Sequence, residues 1–169
     1  LLDHQVKLLI VPHEIDASHI ESIGKKFPSA VRYTELKRNP SLQSWVLVID
    51  HIGLLSQLYR YGWANYVGGG LNAGGVHNLL EAAVYGRPII TGPRIEKYRE
   101  AIELSNGNGL CTLSEINPEK ELTKVLTKWF TDPDLATNEG NKARTYVHSR
   151  SGAVEKILYY IQENRLLTN

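Results

Sequence analysis

Short apolar runs alternate with amphipathic stretches along the chain. "VKLLIVP", Val6 to Pro12, is apolar without interruption and bounded by His, Asp and Pro, which predicts a parallel strand buried on both faces. "DASHIESIGKKFP" places Asp16 or Ser18 as a cap ahead of Ile20 and Ile23, with Gly24 and Pro28 ending the pattern; it predicts a short helix. "AVRYTEL" and "WVLVID" predict two further strands, joined by the polar "KRNPSLQS". "GLLSQLYRYG", from Gly53 to Gly62, spaces Leu54, Leu55, Leu58 and Tyr61 as a helix does.

The same alternation continues downstream. "ANYVGG" and "RPIITGP" predict strands on either side of a helix, "HNLLEAAVYG", that stops at Gly86, and "GNGLCTL" predicts a last short strand. From Asn117-Pro118 onward the pattern is helical: "PEKELTKVLTKWF", then "PDLATNEGNKARTYVHSR" after Asp132, then "GAVEKILYYIQENRLL". Repeated strand–helix–strand units imply right-handed crossovers. The expected fold class is α/β, a doubly wound open parallel sheet with helices on both faces and extra helices at the C-terminal end. Length predicts one domain, 1–169.

Composition removes several function classes. Nineteen Lys and Arg against eighteen Asp and Glu leave a net charge of +1, so no global field points to nucleic acid or an anionic membrane. Any charged ligand is held locally. Cys111 is alone, which excludes an internal disulfide or a zinc-type Cys pair and is expected to be a small buried hydrophobe. No apolar run has the length of a membrane span, roughly 18 residues. The chain begins at Leu1 and contains no Met, and is expected to be a piece of a longer protein.

The densest chemical signal is "YVGGGLNAGGVHNLLEAAVYGRPIITGP", Tyr66 to Pro93, where five of the eight residues from Gly68 to Gly75 are glycine. In open parallel sheets ligands gather beyond the C-terminal strand ends, and glycine turns let backbone N–H groups approach a phosphate. Gly68, Gly69 and Gly70 end the strand and Gly74 and Gly75 stand just before the helix, whose unpaired N–H groups at its start are expected to form an anion site. The alternative is that the glycines merely permit tight turns. The segment matches neither the dinucleotide fingerprint nor a P-loop. Glu81 stands four residues after His77 and three after Asn78, so all three are expected to share one side of the first helical turns. A carboxylate behind a phosphate grip suits a nucleotide, because it accepts from two ribose hydroxyls.

On these residues the chain resembles the C-terminal domain of the bacterial 3-deoxy-D-manno-octulosonic acid (Kdo) transferases, glycosyltransferases of the GT-B class. The resemblance is carried by Val67, Gly68, Gly69, Leu71, Gly75, His77, Asn78, Leu80 and Glu81, and by Gly92 and Pro93 at the later turn. It departs from the family pattern at Gly70, Val76 and Leu79, and "DHIGLL" from Asp50 lacks the family's Thr and Glu.

The resemblance implies a Rossmann-like donor-binding domain whose substrate is CMP-Kdo. The N-terminal domain of the parent enzyme would carry the catalytic carboxylate, the membrane anchor and the site for a lipid A precursor, at the cytoplasmic face of the inner membrane. No catalytic residue is then expected in this chain, which alone would be soluble and inactive. It also implies no metal and no cofactor. Gly69, Gly70, Gly75, His77, Asn78 and Glu81 form the implied donor site, with Gly92 and Pro93 at its edge and Ile52 and Gly53 toward the cytosine. His13 and Glu14 follow the first strand, where the family has a similar pair.

Some readings stay open. His77 either donates to the ligand or ties the glycine turn to itself, and Asn78 is also a favoured cap. Arg94, Lys97 and Arg99 either meet the donor's carboxylate or the partner domain, or form a solvated face. His13, Asp16 and His19 match no strong zinc spacing. The tryptophans, with Tyr159 and Tyr160, are expected in the core or against the partner domain. The alternatives to a Kdo transferase are another GT-B enzyme that uses a UDP-sugar, transferase or epimerase, and a non-catalytic nucleotide-binding or interaction module.

Overall fold

A computed structural model describes residues 6–72 and 74–166. The chain divides into two compact units, Leu1–Gly62 and Trp63–Asn169. Each unit carries its own three-stranded parallel ladder, where the sequence pattern suggested one open sheet. The strands are only two or three residues long.

In the first unit, β1 (Leu8–Ile10), β2 (Val31–Arg32) and β3 (Val46–Val48) pair in the order β1-β3-β2, with Leu8 opposite Val46 and Val31 opposite Leu47. The central strand buries Val48, whereas Leu8 and Leu9 on the edge strand stay exposed. Burial of the first strand on both faces, expected from its apolar run, therefore does not occur.

Helix α1 (Ala17–Lys26) starts where Asp16 accepts hydrogen bonds from the backbone N–H groups of Ser18 and His19, at 3.0 and 3.1 Å, and it buries Ile20. "AVRYTEL" is not one strand: it splits into β2 and a helix, α2 (Tyr33–Arg38). The cause is carboxylate capture. Glu35 accepts the Arg32 N–H at 3.1 Å and Asp50 accepts the Thr34 N–H at 3.0 Å, satisfying donors that a strand would have paired elsewhere. The predicted helix from Gly53 is one turn, α3 (Leu55–Leu58), that tightens into a 3-10 turn at Tyr59–Tyr61.

In the second unit, β4 (Asn65–Tyr66), β5 (Ile89–Thr91) and β6 (Cys111–Thr112) pair in sequence order, Asn65 opposite Ile89 and Ile90 opposite Cys111. Helix α4 (Leu80–Ala83) connects β4 to β5, and α5 (Arg99–Asn106) connects β5 to β6. Then follow α6 (Pro118–Thr131), α7 (Pro133–Ser149) and α8 (Ala153–Glu163). Proline opens both α6 and α7, where a missing N–H costs nothing, and the Asp132 carboxylate caps α7 by accepting from the Leu135 N–H at 2.9 Å. Leu167, the last residue of the final predicted helix, lies outside the described residues.

The core of this unit gathers Ile90, Leu113, Trp129 and Ala136, with Leu122, Val125 and Leu126 of α6 packed against it. Trp129 is 1% exposed and donates its indole N–H to Glu139 at 2.9 Å, so the large ring is buried without an orphaned donor. Trp63 stacks on Phe130 with ring centroids 4.4 Å apart. Cys111 is partly covered, and burial, with Glu139 and Glu121 nearby, pushes its thiol up to about 11.

Two contacts tie the later helices to this framework. A Cβ on Gly140 of α7 would lie 2.3 Å from the Gly86 carbonyl oxygen, so the helix backbone rests directly on the turn that ends the α4 segment. Glu103 of α5 is held by Arg99 at 2.8 Å, Tyr146 at 2.7 Å and Arg150 at 2.6 Å, which joins α5 to α7. Helix α8 leaves Val154, Ile157, Leu158 and Tyr160 exposed. No helix among the described residues is long and apolar enough to cross a membrane.

Candidate functional site

The end of β4 feeds a glycine hairpin. Gly69 and Val76 face each other as an antiparallel bridge, flanked by hydrogen bonds from the Gly70 N–H to the Gly75 carbonyl at 2.7 Å and from the His77 N–H to the Gly68 carbonyl at 3.1 Å. Such a bridge is a non-hydrogen-bonded pair, in which the N–H groups of the two facing residues point outward from the ladder. Only glycine fits at position 69. Its φ is +88° and a Cβ there would sit 2.2 Å from the Gly75 carbonyl oxygen.

This geometry redistributes the donors expected from the sequence. The N–H groups of Gly70, Gly75 and His77 are committed to carbonyls of the hairpin, Gly75 bonding back to Asn72 at 3.4 Å. Those of Gly69, Val76 and Asn78 have no backbone acceptor among the described residues. The helix expected to open at Val76 begins at Leu80 and is a single turn. A helix that short has little macrodipole, so the backbone donors this segment can offer are the outward N–H groups of the hairpin.

Asn78 starts that turn by accepting the Leu80 N–H at 3.1 Å, and its amide N–H donates to Glu81 Oε1 at 2.9 Å. Asn78 and Glu81 are therefore brought together, as their three-residue spacing suggested. The His77 ring edge lies against Gly68, where a Cβ would come 3.4 Å from Cδ2.

The hairpin is locked onto β5. Thr91 is fully buried and donates its hydroxyl to the Val67 carbonyl at 3.0 Å, an inter-strand bond that no sequence signal marked. Beyond it, a Cβ on Gly92 would lie 2.3 Å from the Gly70 carbonyl carbon, and the Arg94 N–H donates to the Gly70 carbonyl at 3.0 Å. Gly92 and Pro93 thus form the floor against which the hairpin rests. Tyr98 closes the other end: its hydroxyl approaches the Gly74 carbonyl at 3.5 Å and its ring fills the space beside Gly75.

The remaining candidates belong to the first unit. His13 and Glu14 are exposed in the loop after β1. Glu14, Asp16 and His19 bring their ligand atoms within 4.8 Å of one another, with the imidazole Nδ1 at 3.4 Å from each carboxylate. All three are exposed, and the Asp16 carboxylate already caps α1, which fits the solvated helix start that the sequence favoured over a metal site at His13, Asp16 and His19. Ile52 and Gly53 form an exposed turn after β3, where the Ile52 carbonyl lies 2.7 Å from His51 Nδ1. Asp50, just before this turn, titrates below its usual range: burial pushes it up, and the hydroxyl and backbone N–H of Thr34 outweigh that push.

Each unit is thus an α/β unit built on a parallel ladder, and the second carries a glycine hairpin backed by a carboxylate at the end of β4. The fold is shared with the C-terminal CMP-Kdo binding domain of WaaA from Acinetobacter baumannii, at a TM-score of 0.73 and 19% identity over 86% of this chain and 76% of that one. In sequence the chain is similar to the 3-deoxy-D-manno-octulosonic acid transferase of Aquifex aeolicus, 34% identical over 125 residues, which are 73% of this chain and 33% of that protein. It is also similar to the transferase of the same name from Chlamydophila psittaci, 30% identical over 160 residues, 92% of this chain and 35% of the relative. In sequence the chain is similar to Kdo transferases and in fold to the C-terminal domain of one, and it spans about a third of the length of the curated relatives it matches. No protein-family model matches it.

Proposed function

We propose that this chain is the donor-binding half of a Kdo transferase, gripping CMP-Kdo while a lipid A precursor is held elsewhere in the longer protein. The single observation that carries the reading is the hairpin at the end of β4: outward N–H groups at Gly69 and Val76, followed at once by the Asn78–Glu81 pair. It supplies phosphate donors and a ribose acceptor in the order in which a nucleotide presents them.

As the glycosidic bond to the phosphate breaks, negative charge grows on the departing CMP. Fixed N–H donors aimed at that charge stabilise the transition state more than the ground state, without reorganising during the reaction. Gly69, Val76 and Asn78 have this role. Gly70, Gly75, Gly92 and Pro93 shape the hairpin that aims them. Glu81 keeps Oε2 for ribose hydroxyls while Asn78 holds Oε1. His77 borders the site, while His13 and Glu14, and Ile52 and Gly53, remain separate candidates for ligand contacts within the first unit. The reading requires neither metal nor cofactor in this chain. The catalytic base, the acceptor site and the contact with the cytoplasmic face of the inner membrane belong to the N-terminal domain.

Amide NMR shift mapping tests the reading, with CMP titrated first and UMP and UDP as competitors. CMP is expected to move Gly69 to Glu81 at lower concentration than either uracil nucleotide. A preference for UDP would point to a UDP-sugar GT-B enzyme instead, and absence of binding to all three would overturn the nucleotide site.

A further inference from the structure

Three basic residues follow the Gly92–Pro93 turn, and the structure separates them. Arg99 is committed to Glu103 at 2.8 Å, and Lys97 makes no ion pair among the described residues. Arg94 is different on three counts. Its backbone N–H is bonded to the glycine hairpin through the Gly70 carbonyl. Its side chain lines an open cavity of about 290 Å³ together with Leu71, Pro93, Glu115 and Pro118, and Leu71 is the residue next to Gly70. Its only side-chain partner among the described residues is Glu115, reached through Nε at 3.3 Å. Neither terminal nitrogen is committed to a partner among the described residues.

A guanidinium presents its terminal nitrogens as a planar fork that matches a carboxylate with two parallel hydrogen bonds. The pair with Glu115 uses one contact, is long for a charge-assisted bond, and is half exposed on the Arg94 side, so it holds the side chain in place without saturating it. Leu71, Pro93 and Pro118 supply the apolar walls that a sugar ring and its deoxy carbon would meet. The cavity therefore offers an anion fork on apolar walls at the rim of the phosphate-binding hairpin, which matches a sugar acid joined to a nucleotide.

We propose that Arg94 forms a carboxylate subsite that recognises the acidic group of the donor's sugar, with Glu115 as the positioning residue that keeps the fork extended when no ligand is bound. The subsite rests on the nucleotide reading of the hairpin and adds to it the reason that an ulosonic acid, and not a neutral sugar, is accepted. Glu115 bears the same charge as the ligand's carboxylate, so it competes for the fork as well as aiming it.

The test is a pair of titrations, CMP and CMP-Kdo, on the 169-residue chain and its Arg94→Ala, Arg94→Lys and Glu115→Gln variants. Arg94→Ala is expected to lower affinity for CMP-Kdo on the order of tenfold while affinity for CMP stays within about twofold. Arg94→Lys, which keeps the charge and loses the fork, is expected to fall between, and Glu115→Gln is expected to raise affinity for CMP-Kdo alone. Equal losses for both ligands in Arg94→Ala, or no loss for either, would overturn the carboxylate subsite while leaving the nucleotide site standing. A parent chain that binds neither ligand would overturn the nucleotide reading and the subsite with it.

Discussion

The amide N–H of Asn78 donates to Glu81 Oε1 at 2.9 Å, across the one turn that opens α4. The bond fixes the carboxylate from one side, so that what Glu81 offers a ligand is already oriented before binding. Glu81→Ala is accordingly expected to weaken CMP binding by about 1–3 kcal/mol, the cost of deserting hydrogen bonds to a charged group, with the fold unchanged. Isothermal titration checks the affinity and far-UV circular dichroism the fold. Equal affinity in variant and parent would remove Glu81 from the site.

The assignment of the base to the N-terminal domain predicts that this chain by itself does not transfer Kdo. Incubation with CMP-Kdo and a lipid A precursor, followed by mass spectrometry of the lipid, is expected to show no product. Measurable turnover would place the base among these 169 residues.

Glu103 has a pH signature. Its hydrogen bonds to Arg99, Tyr146 and Arg150 hold its carboxyl down to about 2, against an ordinary value of 4.5. The folded state favours the ionised form, so the stabilisation is complete above about pH 4.5 and is lost as pH falls toward 2. Glu103→Gln should therefore unfold at lower urea than the parent at pH 7, and the gap between the two midpoints should close progressively below pH 4.5. A gap that does not change with pH would mean that the charge on Glu103 is not what joins α5 to α7.

Gly92 tests the floor beneath the hairpin by size alone. A Cβ at this position meets the backbone of Gly70 and Leu71 at 2.3 and 2.6 Å, and backbone cannot swing aside as a side chain does. Gly92→Ala is expected to cost about 1–3 kcal/mol in urea unfolding, and to weaken CMP binding through the displaced hairpin. Parent-like values for both would mean that the two backbones are not in contact.

Much of this architecture was legible in the residues. The apolar runs around Val46 to Val48 and Ile89 to Thr91 became β3 and β5, and the proline-led starts of α6 and α7 fell where Pro118 and Pro133 stand. The failures share a cause. "AVRYTEL" reads as a strand by its residues, yet Glu35 and Asp50 capture two backbone donors and turn its second half into α2, and Asp50 is 16 positions from its partner. The start of α4 was misplaced by the same kind of event. The His77 N–H bonds back to Gly68 and Asn78 spends its side chain on the Leu80 N–H, so the stretch that looked helical from Val76 is hairpin first and helix second. Neither the Thr91 bond to Val67 nor the cavity beside Arg94 leaves a periodic trace, because each depends on chain segments that meet only after folding.

The contact between Gly140 and Gly86 bears on what substitutions this domain can accept. A glycine inside a seventeen-residue helix sacrifices about 1 kcal/mol of helix propensity relative to alanine. Here even the alanine methyl would land 2.3 Å from the Gly86 carbonyl oxygen, on backbone that cannot yield. The usual route to a more stable helix, glycine to alanine, is thereby closed at position 140. The turn that leaves the candidate site and the helix behind it therefore meet backbone to backbone, and a side chain added at position 140 pushes directly on that turn.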